Sequence, residues 1–128
     1  MTSLEDELRL ALVAAQATPP AGVSLEFCYP PTFTGFQGHF PNDPILPGVC
    51  LLQSLRVGLE KAWGTRLRLT DVLTAKFTAP VRPCDTLLFA VTETARTAQA
   101  VSTKAKVMRA GQCVAELSVK LEEDRAGQ

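Results

Sequence analysis

Among the side chains that could do chemistry, a histidine in a loop and a glutamine in an apolar run are the first candidates. His39 is the only histidine, and it falls in a stretch, Gly35 to Val49, that three prolines and three glycines punctuate. Such punctuation predicts a stiff loop rather than a regular element. An imidazole accepts and returns a proton near neutral pH. We therefore take His39 as the candidate general base, the alternative being a hydrogen-bonded core histidine.

Gln53 is the second residue that the pattern singles out. It lies in an apolar run that includes Val49, Leu52 and Leu55. A polar amide in such a run costs free energy unless it is hydrogen-bonded. Gln53 is therefore either paired structurally or faces a wet cavity, and taken alone the residue favours structural pairing. Arg56, one helical turn further on, is predicted to share its face or to be a solvated charge.

Two other residues near His39 are weaker candidates. Asp43 is followed by Pro44 and is more typical of a turn than of a proton donor. Cys50 invites a thiol-nucleophile hypothesis, but no third residue is evident to orient the imidazole, and a buried helical cysteine is usually inert.

Composition limits the class of protein. The 128 residues, 46% hydrophobic and 20% charged, suit one domain covering 1–128. Thirteen basic and thirteen acidic residues balance, so we expect no nucleic-acid partner. The N-terminus is acidic and no apolar run reaches the length of a membrane span, which predicts a cytoplasmic protein. The four cysteines are far apart and only one histidine is present, so we expect no metal and no cofactor.

The elements that must position these residues follow from periodicity. Helical spacing predicts an N-terminal helix within residues 1–18, and alternation predicts a strand over 23–29. Residues 49–63 are long enough for about four helical turns, and Pro47 and Gly48 suit the start of that helix. Strands are predicted over 71–78, 86–93, 101–107 and 115–121, with a turn region over 79–85, a hairpin connection at 110–112 and a frayed tail at 123–128.

The long helix decides the fold class. Its first half is apolar on nearly every side, so neighbouring elements must wrap around it rather than lie under one stripe. The predicted strands that follow can form a sheet that curls around this helix. We therefore predict an α+β protein with the hotdog fold, in which a curled antiparallel sheet wraps around one long central helix.

Two segments resemble a known family. Gly38-His39-Phe40-Pro41, followed by Pro44-Ile45-Leu46-Pro47-Gly48-Val49, is similar to the signature of the 3-hydroxyacyl-[acyl carrier protein] dehydratases of fatty-acid synthesis. The segment from Lys76 to Asp85 resembles that family's second landmark, with Cys84 where a glycine usually stands. The resemblance implies removal of water from a 3-hydroxyacyl thioester to give the trans-2-enoyl product.

The resemblance also implies roles and partners. His39 would act as the base at the substrate's second carbon, and the Gly48 backbone N–H would bind the thioester oxygen, where the start of a helix stabilises the developing enolate. The substrate would be carried by acyl carrier protein, and a homodimer, or a higher homo-oligomer of dimers, would form tunnels for the acyl chain at its interface. We expect further substrate contacts from Phe40, Pro47, Val49, Leu52 and Arg56.

Position 53 departs from the family's pattern. The family places a glutamate or aspartate there, on the buried helix of the partner subunit, to help the hydroxyl depart as water. With His39 and Gly48 at the family's spacing, we favour a wet cavity beside Gln53 over a structural pairing. Gln53 can hold a hydroxyl by hydrogen bonds but has no proton to give at neutral pH. We therefore expect a slow or specialised dehydratase, in fatty-acid, aryl polyene or polyketide-type synthesis.

Two alternatives remain open. A hotdog thioesterase would use Gln53 to place a water, although the His-Phe-Pro loop argues against it. A noncatalytic subunit would bind an acyl carrier protein or pair with an active paralogue in a mixed dimer. For recognition of an acidic carrier we consider a basic patch, formed by Arg56, Lys61, Arg66, Arg68, Lys76 and Arg82.

Overall fold

A computed structural model describes residues 3–37 and 43–124 of the chain. Within them lie two α-helices, six strands and one short 3-10 helix at Thr34–Phe36. In chain order the elements are α1 (Leu4–Ala11), β1 (Leu12–Thr18), β2 (Gly22–Cys28), α2 (Gly48–Trp63), β3 (Leu67–Phe77), β4 (Thr86–Arg96), β5 (Ala100–Arg109) and β6 (Gln112–Glu123). No helix in this part of the chain is both long and apolar enough to cross a bilayer.

The six strands form one antiparallel sheet in the order β1-β2-β4-β5-β6-β3. Apolar side chains alternate inward along β2, β4, β5 and β6, as the sequence predicts for strands with one solvated face. Their buried side chains and those of α2 belong to a single core. This is the predicted α+β hotdog fold, with an open sheet packed on one long helix.

Helix α2 is buried over most of its length because its apolar residues face the sheet. Leu55 and Leu59 are fully buried, and Ser54 is buried beside them. Gly58 brings the helix close to β2, since a Cβ atom there would lie only 2.4 Å from Cδ1 of Leu25. The helix ends at Gly64, whose positive φ of 67° suits a residue without a side chain.

The prediction of an N-terminal helix within residues 1–18 is wrong beyond Ala11. Helix α1 ends there, and residues 12–18 form β1, which pairs with β2 from Leu12 opposite Phe27 to Thr18 opposite Gly22. The alanines of this segment favour a helix weakly. The turn at residues 19–21 returns the chain alongside itself, and pairing with β2 outweighs that preference.

The segment 79–85 connects distant strands rather than making a hairpin. Strand β3 lies at the edge of the sheet beside β6, whereas β4 lies between β2 and β5. The connection is held by backbone bonds: the Leu46 N–H donates to Val81 O at 2.8 Å, and the Cys84 N–H donates to Tyr29 O at 2.8 Å. It therefore anchors the loop that leads into α2. At the other end, β6 continues to Glu123, so the prediction of a frayed tail over 123–128 is wrong at its first residue, and residues 125–128 lie outside the described residues.

Candidate functional site

The start of α2 lacks a side-chain cap. Pro47 is the N-cap residue, with φ −62° and ψ 143°, and it has no side chain that can accept a hydrogen bond. The Cys50 N–H donates to Pro47 O at 3.0 Å. The first N–H groups of an α-helix have no intrahelical acceptor and form the positive end of its dipole. At Gly48 the fold therefore offers backbone donors to an anion or to a polarised carbonyl oxygen.

Gly48 is also required by packing. A Cβ atom at this position would lie 2.5 Å from Cζ and 2.7 Å from Cε2 of Phe77, far inside van der Waals contact. The ring of Phe77, 48% exposed, therefore lies directly against the backbone of the helix start. This contact joins the two segments that resemble the dehydratase family, since β3 ends at Phe77.

A groove of about 300 Å³ opens beside this helix start. It is mostly apolar, and it lies between the loop before α2, the first turns of α2 and the segment after β3. Its lining residues are Ile45, Leu46, Gly48, Leu51, Phe77, Thr78, Ala79, Pro80 and Val81. An apolar cleft with backbone donors at its mouth suits an acyl chain that ends in a carbonyl group.

The loop into α2 is pinned by an ion pair. Both carboxylate oxygens of Asp43 accept hydrogen bonds from Arg82, at 2.8 Å from Nε and 3.1 Å from Nη2. The hydrogen bond from Arg82 lowers the pKa of Asp43 below its usual range. A carboxylate held ionised in this way is a poor proton donor, which agrees with the interpretation of Asp43 as a turn residue.

Gln53 belongs to a network of charged side chains. Its Oε1 accepts a hydrogen bond from Arg56 Nε at 2.7 Å. Arg56 also donates from Nη2 to Glu5 Oε2 at 2.6 Å and from Nη1 to Glu60 Oε2 at 3.1 Å. The half-buried Gln53 is thus paired structurally through its carbonyl, while its Nε2 group makes no hydrogen bond within residues 3–37 and 43–124.

The opposite side of α2 carries a buried hydroxyl chain. Ser54 Oγ donates to Cys50 O at 2.6 Å, so the Tyr29 hydroxyl, 2.5 Å from Ser54 Oγ, is left as the donor to it. Burial raises the pKa of the Tyr29 phenol far above its usual value. Burial also raises the pKa of the Cys50 thiol, which disfavours the reactive thiolate. Both groups therefore act as neutral parts of the core.

The remaining predicted site residues have different positions. His39 and Phe40 lie outside the described residues. Pro47 and Leu52 are half buried, and Val49 is exposed, but none of these three lines the groove at the helix start. The sequence reasoning missed Leu51, Phe77 and Val81 as lining residues. The signal for two of them was available, because Phe77 and Val81 belong to the Lys76–Asp85 segment that resembles a dehydratase landmark.

The basic residues considered for carrier recognition are dispersed. Three of the six are ion-paired: Arg56 with Glu5 and Glu60, Arg68 with Glu122, and Arg82 with Asp43. Lys61 and Arg66 instead line a larger groove of about 590 Å³ near the C-terminal end of α2. The part of the chain described here contains no cluster of three or more histidine, cysteine or acidic side chains placed to hold a metal.

Comparison with known proteins adds relatives of two kinds. The 3-hydroxyacyl-[acyl-carrier-protein] dehydratase FabZ of Lactobacillus helveticus is 41% identical over 64 residues, which cover 44% of this chain and 43% of that protein. The FabZ of Protochlamydia amoebophila is 45% identical over 58 residues, covering 41% of this chain and 38% of that protein. The match thus spans less than half the length of these relatives.

Solved structures support the fold. The dehydratase heterocomplex ApeI:P from Xenorhabdus doucetiae superimposes with a TM-score of 0.68 at 20% identity, over 88% of this chain and 96% of that one. An uncharacterized protein from Erwinia carotovora gives a TM-score of 0.64 at 21% identity, over 88% and 92% of the two chains. The ApeI-like family, described as ApeI dehydratase, matches residues 15–117. Since that match covers most of the chain, including the helix start and its groove, the chain belongs to the ApeI-like dehydratase family.

Proposed function

We propose that this chain is a cytoplasmic hydro-lyase that removes water from a 3-hydroxyacyl thioester carried by acyl carrier protein, giving the trans-2-enoyl thioester. The observation that carries the proposal is the uncapped start of α2 beside an apolar groove. In this proposal the Gly48 N–H binds the thioester oxygen and the acyl chain lies along Leu51, Phe77 and Val81, which line the groove. Stabilisation of an enolate by helix-start amides favours loss of the neighbouring proton.

His39 is proposed as the base. It accepts the proton from the substrate's second carbon, the electron pair moves into the new double bond, and the bond from the third carbon to the hydroxyl oxygen breaks. Since Gln53 has no proton to give, the imidazolium of His39 returns the same proton to the departing hydroxyl, which leaves as water. His39 is neutral again at the end of the step. Loss of a separate general acid commonly lowers a rate by a factor of about a hundred to ten thousand.

A dimer through β3 is part of the proposal. This strand is paired on one side only, and apolar side chains are exposed along it at Val72, Leu73 and Phe77. An unpaired apolar edge is a ready surface for pairing with a second sheet. Phe77 belongs both to this edge and to the groove, so the proposed dimer would enclose the acyl chain near the subunit interface.

The test uses the purified full chain. It is incubated with 3-hydroxyacyl and enoyl thioesters of acyl carrier protein, and enoyl absorbance and free thiol are followed together. We expect slow enoyl formation that His39→Ala abolishes, with Val13→Ala, an exposed change in β1, as the matched control. Release of thiol without enoyl formation would identify a thioesterase instead.

A second candidate is a subunit of a mixed dimer. Gln53 in place of an acid favours it, and one structural neighbour is described as a dehydratase heterocomplex. This candidate predicts no enoyl formation by the chain alone and activity after mixing with a paralogue that carries an acid at the corresponding position. Activity of the chain alone would contradict it.

A further inference from the structure

The contact between Arg56 and Gln53 defines which end of the glutamine amide is available. Arginine has only hydrogen-bond donors. The atom of Gln53 that lies 2.7 Å from Arg56 Nε must therefore be the carbonyl oxygen, as the structure has it. The two N–H donors of Nε2 then lie on the other branch of the amide, away from this contact. The contact with Arg56 therefore sets the orientation of the Gln53 amide.

Arg56 is itself held firmly. Its side chain is only 12% exposed, and it is paired with Glu5 of α1 and with Glu60 one turn further along α2. Both carboxylates raise the pKa of Arg56, against the opposing effect of its burial. Glu60 is fixed in turn, since its Oε2 accepts from the Leu67 N–H at 2.8 Å. Three elements, α1, α2 and β3, therefore immobilise the guanidinium that holds Gln53.

We propose that Arg56 is a positioning residue: it holds the carbonyl of Gln53 so that the Nε2 donors are presented to the departing hydroxyl oxygen of the substrate. The inference rests on the proposed dehydratase function and extends it. A neutral donor at this position holds the leaving oxygen without supplying a proton, and it works only if the amide does not rotate. Arg56 prevents that rotation without contacting the substrate.

A matched pair of variants separates positioning from stability. Arg56→Met removes the contact with Gln53, whereas Arg9→Met removes a cation that binds the same two carboxylates, Glu5 and Glu60, each at 3.1 Å, without touching Gln53. We expect Arg56→Met to lower kcat about tenfold, the value of one hydrogen bond, with KM within about twofold. Arg9→Met should leave both constants within about twofold, and Arg56→Lys should retain more of kcat than Arg56→Met.

A double-mutant cycle gives the decisive result. If Arg56 acts through Gln53, Arg56→Met should have no further effect on kcat in a Gln53→Ala background. An equal loss in both backgrounds would overturn the inference. Thermal unfolding of each variant establishes that it is folded. If Arg56→Met does not fold, Glu5→Gln is used in the same cycle, because it weakens the hold on Arg56 and leaves Gln53 and Arg56 in place.

An NMR measurement that requires no turnover tests the role of Arg56 separately from the proposed dehydratase activity. The side-chain amide signals of Gln53, assigned by their loss in Gln53→Ala, are followed by ¹⁵N NMR while 3-hydroxybutyryl-pantetheine is added. We expect a shift in the unaltered protein that Arg56→Met abolishes. If the signals shift in this way but no enoyl product forms, the proposed reaction is contradicted and the role of Arg56 still stands. Enoyl formation with the same shift in both proteins would overturn the role of Arg56 alone.

Discussion

Replacing Gly58 with alanine should destabilise the protein, although alanine is the better helix former. In a helix interior, the change from glycine to alanine ordinarily stabilises by about 1 kcal/mol. At Gly58, however, the new Cβ would lie 2.4 Å from Cδ1 and 2.9 Å from Cδ2 of Leu25. Leu25 is fully buried in β2, so its side chain can move aside only by displacing close-packed neighbours in the core. Overpacking of this kind costs about 1–3 kcal/mol, so a net loss of about 1 kcal/mol is expected.

A substitution of Leu25, the residue that the new methyl group would strike, is the control. Leu25→Ala removes the atoms that the new methyl group would strike and leaves a cavity, at a cost of about 2–5 kcal/mol. In that background Gly58→Ala should stabilise by about 1 kcal/mol, because helix propensity then acts unopposed. The sign of one substitution thus reverses with the identity of the residue that faces it.

Urea unfolding at equal protein concentration measures the four free energies of unfolding in this cycle. The reasoning would be refuted if Gly58→Ala stabilised the unaltered protein, or if its effect were the same in both backgrounds. Either result would mean that α2 and β2 can move apart at this point without cost.

Two further predictions concern a strained turn and a buried phenol. Cys84 is exposed and has a φ of 69°, and a residue with a side chain in this left-handed conformation costs about 1–2 kcal/mol. Cys84→Gly removes that cost, but glycine also has more freedom to lose from the unfolded chain, so the free energy of unfolding in urea should rise by about 0.5 kcal/mol. Cys84→Ala should give no such increase. Burial raises the pKa of the Tyr29 phenol. Above pH 10.0, the unperturbed pKa of tyrosine, the unfolded chain loses the phenol proton whereas the folded chain keeps it. The free energy of unfolding should therefore fall as the pH rises, by up to about 1.4 kcal/mol per pH unit. Tyr29→Phe should reduce this decline, and an equal slope in both proteins would contradict the assignment.

The sequence was most informative where local pattern and tertiary packing agree. The apolar run that predicts a helix over 49–63 becomes α2 at Gly48–Trp63, because a long segment that is apolar over much of its surface is most stable packed against the core. The alternating segments at 86–93, 101–107 and 115–121 likewise fall within β4, β5 and β6. The three-residue spacing of Gln53 and Arg56 on α2 permits their contact, and the structure makes it.

What the sequence could not supply depends on long-range pairing. The alanine-rich residues 12–18 become a strand only because β2 returns beside them, and nothing local indicates that. Glu5 and Glu60 are 55 positions apart, so their joint hold on Arg56 appears only once α1 packs on α2. Likewise, the lining of the groove by Phe77 depends on β3 ending opposite the start of α2. The role of His39 stays a prediction.

The edge position of β3 makes the last strand indispensable to the chain's assembly. Within the described residues β6 is the one strand that pairs with β3, and Phe77 lies opposite Ala115 in that pairing, so the chain must be synthesised into β6 before β3 can take its place in the sheet beside Gly48. Until then the nascent chain contains α2 but lacks the wall that Phe77 forms in the groove at the helix start. A nonsense codon before Gln112 would therefore abolish the groove as well as shorten the sheet.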